Sequence, residues 1–255
     1  MKVQTFIFAH EQQIILDMEA NKKFADIPNL MYVMVGGNDS DKLVGMSNVI
    51  IEKDYLENLI PYNKNMLSFT GWQLIFRHKE LMIDKDTDYI NLFEYDIKLS
   101  PNFMTELMNC TKETKPDIVG YIPLSVSSPV YSDEPKYCKE IIDSIKHNHK
   151  IDIRYIVDLY KEFNAVVSVT SNHTMDVYTF CHFMKFMQPC IDDIKDNKYS
   201  GHQTERALSF FYLYFEALNV EVLPNSLFHY QLDTHQTQGI PIEKFTNNYA
   251  QVVKK

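Results

Sequence analysis

Glu94-Tyr95-Asp96 sets two carboxylates one residue apart at the end of an apolar run, Tyr89-Ile90-Asn91-Leu92-Phe93. Side chains alternate between the faces of a strand, so both acids are expected on one side of a sheet, where it ends and a ligand can enter. This is a setting for a hard divalent cation such as Mg²⁺ or Mn²⁺, which takes carboxylate oxygens together with phosphate oxygens of a substrate. The competing account of an E-x-D is a solvated pair in a turn. Against it stand the lack of charge in the run before the pair and the closing Lys98, Ser100 and Pro101, which suit a buried strand that stops at a site.

Other chemistries find little support. The chain has seven glycines and neither G-x-G-x-x-G nor G-x-x-x-x-G-K-[ST], so the dinucleotide and P-loop fingerprints are absent, as is the G-x-S-x-G elbow of serine hydrolases. With 34 acidic against 25 basic side chains the formal charge is −9, and no block of lysines or arginines offsets it, which disfavours binding to nucleic-acid phosphate. Cys110, Cys138, Cys181 and Cys190 show no C-x-x-C spacing, so reduced thiols in a cytoplasmic setting are expected rather than disulfides or zinc. No stretch approaches the roughly 18 apolar residues of a membrane span, and Met1 to Phe8 reads as a first strand rather than a signal peptide. Peripheral membrane contact through a partner stays open.

The elements that must position the pair alternate. Val3 to Phe8 reads as a strand, Gln12 to Ala25 as a helix, Leu30 to Val35 as a strand ending in the loop Gly36 to Asp41, and Val49 to Glu52 as a short strand. Asn65 through Leu81 has helical spacing and leads into the strand Tyr89 to Asp96. Further on, Ile118 to Ile122, Ala165 to Val169 and Val220 to Leu223 read as strands, and Tyr137 to Lys146, Thr174 to Ile194 and Glu205 to Leu218 as helices. Pro123 to Pro135 is a Ser/Pro-rich loop of a length common in binding loops. At 255 residues this is expected to be one α/β domain with a mostly parallel central sheet flanked by helices, its ligands beyond the carboxyl ends of the strands.

Taken together the pattern resembles a nucleotide-sugar glycosyltransferase of the GT-A fold, of the capsular-polysaccharide type. The opening strand Phe6-Ile7-Phe8-Ala9-His10, the helix Ser68 to His78 and the D-x-D-like Phe93-Glu94-Tyr95-Asp96-Ile97 carry the resemblance. So does the stretch from Ser171-Asn172-His173-Thr174-Met175 to Gln188-Pro189 and on to Gly201 through Leu208, where Glu205-Arg206 matches an E-R-L-like pair that opens a helix. The resemblance covers most of residues 1 to 230, and the order of the short motifs is what carries it.

It implies a metal-dependent enzyme that moves a sugar from a nucleotide-diphosphate donor to a hydroxyl of a glycan or glycolipid, in polysaccharide biosynthesis. Residues 1 to 100 would form the donor half, 101 to 230 the acceptor half and 231 to 255 a polar tail. Asp96 would hold Mn²⁺ or Mg²⁺. Glu94, a methylene longer than the family's Asp, would meet the metal directly or through water, or hold the ribose. His229 or His235 would complete the metal shell, the alternative for His229 being a packed histidine. His10, Asp39 and Asp41 fall where the base would be read, although loop aspartates also serve turns. Glu205 would be the base of an inverting transfer, held at a helix start, against the simpler account of a first-turn Glu paired with Arg206; Arg206 would otherwise meet phosphate. Asn172 and His173 would touch donor or acceptor, or Asn172 would cap a helix. Trp72 and the stripe Tyr178, Phe180, Phe183, Met184, Phe186 and Met187 read as core. A silent GT-A-like binding module, and a sugar-nucleotide nucleotidyltransferase, are the alternatives.

Overall fold

A computed structural model of the protein describes residues 1–36, 39–58, 65–66, 68–125, 135–155, 158, 166–168, 170–215 and 217–229. β1 (Val3–Ala9) is buried at every position, as expected of a strand covered on both faces. It lies between β2 (Leu30–Met34) and β4 (Tyr89–Glu94), parallel to both, with Phe8 opposite Val33 on one side and Glu94 on the other. β3 (Val49–Ile51) extends the sheet past β2. β6 (Ile118–Gly120), β9 (His173–Asp176) and β10 (Val220–Val222) complete a seven-stranded order β10-β6-β9-β4-β1-β2-β3. Only β9 runs against its neighbours in this sheet, pairing antiparallel with both β4 and β6. Two short antiparallel pairs stand apart: β5 (Ile97–Leu99) with β11 (Leu227–His229), and β7 (Pro123–Ser125) with β8 (Val166–Ser168).

Each face of the sheet has its own core. Phe6, Phe8, Ile90, Leu92 and Met175 pack under α2 (Phe69–Arg77), α5 (Pro135–His149), α6 (Val177–Met187) and α8 (Ser200–Tyr214). Ile7, Tyr32 and Phe93 pack under α1 (Gln12–Ala20) and α4 (Phe103–Glu113). Trp72 belongs to the first core, with its ring edge-on to Phe180 and Phe183, and so does the Phe/Met stripe apart from Tyr178, which is exposed. Gly71 is required where α2 crosses β1, because a Cβ there would fall 2.5 Å from Phe8 Cδ1. The four cysteines are free thiols.

Several expected boundaries move. The strand expected to run through Asp96 ends at Glu94, and Tyr95-Asp96 form the turn into β5, so alternation does not set the two acids on one face. The helix expected from Thr174 is first a strand: residues 173–176 fill the gap between β4 and β6, and Asp176 then caps α6 by accepting from the N–H groups of Tyr178 (2.9 Å) and Thr179 (3.1 Å). Asn172 is therefore not a helix cap. The helix expected over 65–81 breaks at His78 into α2 and α3 (Lys79–Met82). α8 begins at Ser200, which places Glu205 in its second turn rather than at a helix start. The expected loop 123–135 contains β7 and the first residue of α5; its residues 126–134, together with His235 and the tail, lie outside the described residues. Past α6, a 3-10 turn at Gln188–Cys190 leads into α7 (Ile191–Ile194).

Candidate active site

The carboxyl ends of β1, β2, β3 and β4 lie together, and Glu94 closes β4 next to Phe8. Two groups hold it. Ser68, just before α2, donates its hydroxyl to Glu94 Oε1 at 3.1 Å, and the Glu94 N–H donates to Asn172 Oδ1 at 2.8 Å. Asn172 is wholly buried, and its Nδ2 donates to Thr170 Oγ1 at 3.2 Å. Thr170 stands at φ 80°, a left-handed backbone that costs a β-branched residue about 1–3 kcal/mol, so the loop before β9 is strained where it grips the end of β4.

Tyr95 and Asp96 turn away from this grip. The Tyr95 N–H donates to Phe8 O at 3.1 Å, and its ring meets the His10 imidazole edge-on with centroids 5.4 Å apart. Lys23 Nζ donates to Tyr95 O at 2.6 Å. Burial pushes the Lys23 pKa down, and the Asp96 charge nearby works against that. β11 pairs with β5 so that His229 stands opposite Ile97, the residue after Asp96. The backbone thus brings the His10, Glu94, Asp96 and His229 positions to one edge of the sheet. The His229 side chain lies outside the description.

Carboxylate oxygen is a suitable donor for Mn²⁺ or Mg²⁺ and imidazole nitrogen can complete a Mn²⁺ shell, so the residue types at 96 and 229 are ones that could hold such an ion. Glu94 fits less well as a direct ligand, because Ser68 engages one of its oxygens. Among the described residues no three His, Cys, Asp or Glu side chains gather into a ready ligand group.

The remaining expected residues take these places. Asp39 accepts from Gln12 Nε2 at 2.6 Å and from the Asp41 N–H at 3.2 Å, joining the segment after β2 to the start of α1. Asp41, itself exposed, opens a 3-10 turn whose Leu43 is buried. Arg206 is 4 % exposed, and its Nη1 donates to Glu205 Oε2 at 2.9 Å and to His202 O at 3.2 Å. The ion pair set against a catalytic Glu205 is therefore formed. α8 is tied to the segment leading into α2, because the Gly201 N–H donates to Asn65 O at 2.6 Å. His173 is wholly buried on the Leu92 side of β9, neither ring nitrogen has a hydrogen-bond partner among the described residues, and desolvation lowers its pKa to about 3.

Glu52 was missed. It follows β3 as Glu94 ends β4, a carboxylate closing an apolar run, and that signal was available in Val49-Ile50-Ile51-Glu52. It is 1 % exposed, accepts from the Gly36 N–H at 2.6 Å and from the Thr70 hydroxyl, and its Oε1 has no hydrogen-bond partner among the described residues; burial raises its pKa. The start of α2 is thus set between two carboxylates, Glu94 through Ser68 and Glu52 through Thr70. Lys23 gave no sequence signal, since only the turn after α1 carries it to Tyr95.

No protein-family model matches the chain, and no curated sequence does. Among solved structures it is similar to the apo form of the bifunctional glycosyltransferase WbbM, at TM-score 0.61 and 11% identity over 90% of this chain and 45% of that one. The galactosyltransferase LgtC, solved with donor and acceptor sugar analogues, aligns at TM-score 0.46 and 13% identity over 95% of this chain and 94% of that one. Mouse xyloside xylosyltransferase 1 aligns at TM-score 0.44 and 12% identity over 88% and 85%. The chain spans less than half the length of the WbbM structure. The fold is of the GT-A glycosyltransferase type.

Proposed function

We propose that this GT-A-fold chain is a cytoplasmic glycosyltransferase that moves a sugar from a nucleotide-diphosphate donor to a hydroxyl of a glycan or glycolipid, in polysaccharide biosynthesis. The observation that carries the reading is the Glu94-Tyr95-Asp96 turn at the carboxyl end of the central β4, where an open α/β sheet binds ligands. Residues 1–100 would serve the donor and 101–230 the acceptor, within one domain. No helix among the described residues is long and apolar enough to cross a membrane.

Asp96 and His229 would hold Mn²⁺ or Mg²⁺, which when bound supplies positive charge to the departing diphosphate. The protein's own residues divide the rest. Glu94, held by Ser68 and Asn172, would accept from a donor hydroxyl such as that of the ribose. His10, Asp39 and Asp41 border the ends of β1 and β2, where the base would lie. Glu205 would take the proton of the acceptor hydroxyl in an inverting transfer, with Arg206 beside it holding the carboxylate or meeting phosphate.

Incubation with a panel of sugar nucleotides and Mn²⁺, followed by mass spectrometry, tests this. Slow release of nucleoside diphosphate from one donor is expected. No release from any donor, even with acceptor glycans present, would leave a silent binding module as the better account.

A further inference from the structure

Lys23 stands where a cation matters, and its ammonium is fixed from two sides. Nζ donates to Tyr95 O at 2.6 Å and lies 5.0 Å from the ring centre of Phe24, itself buried at 3 % exposure. The carbonyl it grips is the middle one of Glu94-Tyr95-Asp96, and the Asp96 carboxylate is near enough for its charge to act on the amine. Lys23 is exposed, yet the backbone carbonyl and the aromatic face give its charge a fixed place beside the turn.

On the reading given under Proposed function, we infer that Lys23 is a resident counter-ion of the Glu94-Tyr95-Asp96 turn, one that makes divalent-cation binding at Asp96 depend on the diphosphate of the donor. A free divalent ion approaching Asp96 meets a fixed positive charge beside its ligand, and the repulsion lowers its affinity. A diphosphate brings negative charge that both cations share, so the ion and the nucleotide assist each other, and by linkage each raises the affinity of the other by the same factor. Lys23 is in this sense a positioning residue: it opposes the empty site filling with metal alone and favours entry of a metal–nucleotide pair.

The test titrates Mn²⁺ into the full chain, following free Mn²⁺ by electron paramagnetic resonance, with and without UDP or GDP. Lys23→Met and Lys23→Gln are compared with wild type; the Gln variant removes the charge and keeps an N–H donor, one bond shorter, for Tyr95 O. Both variants are expected to bind Mn²⁺ alone about tenfold more tightly than wild type, while the factor by which diphosphate improves Mn²⁺ binding shrinks. Tightening in Lys23→Met but not in Lys23→Gln would assign the effect to a loosened turn and overturn the counter-ion role. So would unchanged Mn²⁺ affinity in both variants while wild type binds Mn²⁺ with UDP or GDP. If wild type and both variants bind no Mn²⁺ under any condition, the metal reading of Asp96 falls, and this inference falls with it.

Discussion

At the scale of single residues, Glu94 and Asp96 are neighbours in sequence with different surroundings. Glu94 is held by Ser68 and Asn172, whereas Asp96 lies in the turn beside Lys23 and the β5–β11 pair. Asp96→Asn is expected to abolish the metal-dependent part of nucleoside-diphosphate binding with the melting temperature nearly kept, and Glu94→Gln to weaken binding less. Calorimetric titration with and without Mn²⁺ checks both, and undiminished metal-dependent affinity in Asp96→Asn would remove that residue from the metal site. Glu205 is a harder case, because its carboxylate already supports a buried Arg206. As the base, Glu205→Gln should cut turnover about 100-fold or more with donor affinity retained. If the carboxylate only pairs with Arg206, the variant should instead lose about 1–3 kcal/mol of stability and keep its turnover. Kinetics and unfolding on the same variant separate the two.

At the scale of elements, α2 is the part that sets the site. Its first turn meets Glu94 through Ser68 and Glu52 through Thr70, and its approach to the sheet is limited by Gly71 against Phe8. Alanine at 71 gains up to about 1 kcal/mol of helix propensity. It also drives a methyl into a buried ring and within 3.0 Å of Val35 Cγ1, an overpacking that costs about 1–3 kcal/mol. The second effect is the larger, since neither neighbour is the free end of a flexible chain. Gly71→Ala is therefore expected to lower the unfolding midpoint by a few degrees, and Phe8→Leu in the same chain to restore part of the loss. A Gly71→Ala protein at least as stable as wild type would show that α2 has room to move off the sheet.

At the scale of the whole molecule, His173 ties stability to pH. Folding lowers its pKa from an ordinary 6.5 to about 3 through desolvation, so the unfolded chain binds the proton more readily than the folded one. Its contribution is fully present above pH 6.5 and is lost as pH falls towards 3, at about 1.4 kcal/mol per pH unit. The stability of wild type relative to His173→Leu should fall at that slope when denaturant unfolding is followed from pH 6.5 to 4. Parallel profiles would mean that the imidazole finds a partner or water in the folded protein.

Residue order alone carried the class of the fold and the residue types that stand at the end of its central strand. Uncharged runs bounded by polar residues read as covered strands because a buried strand has no solvent face on which to show alternation, and Glu94-Tyr95-Asp96 was legible because carboxylates at the end of such a run are costly without a purpose. Local pattern could not see β9, whose residues 173–176 are strand only because β4 and β6 leave a gap between them, while the adjoining Phe/Met spacing signals a helix. It could not divide Glu94 from Asp96, because where a strand stops depends on its partner: the Tyr95 N–H still reaches Phe8 O, and beyond it the chain turns to meet β11. Nor could it bring Lys23 to Tyr95, Ser68 and Asn172 to Glu94, or Gly36 to Glu52, since each contact joins residues distant in sequence through the packing of helices on a sheet. The donor types were set by composition and order, and their neighbours by tertiary structure alone, because a hydrogen bond or a screened charge acts over a few ångströms of space whatever the separation along the chain.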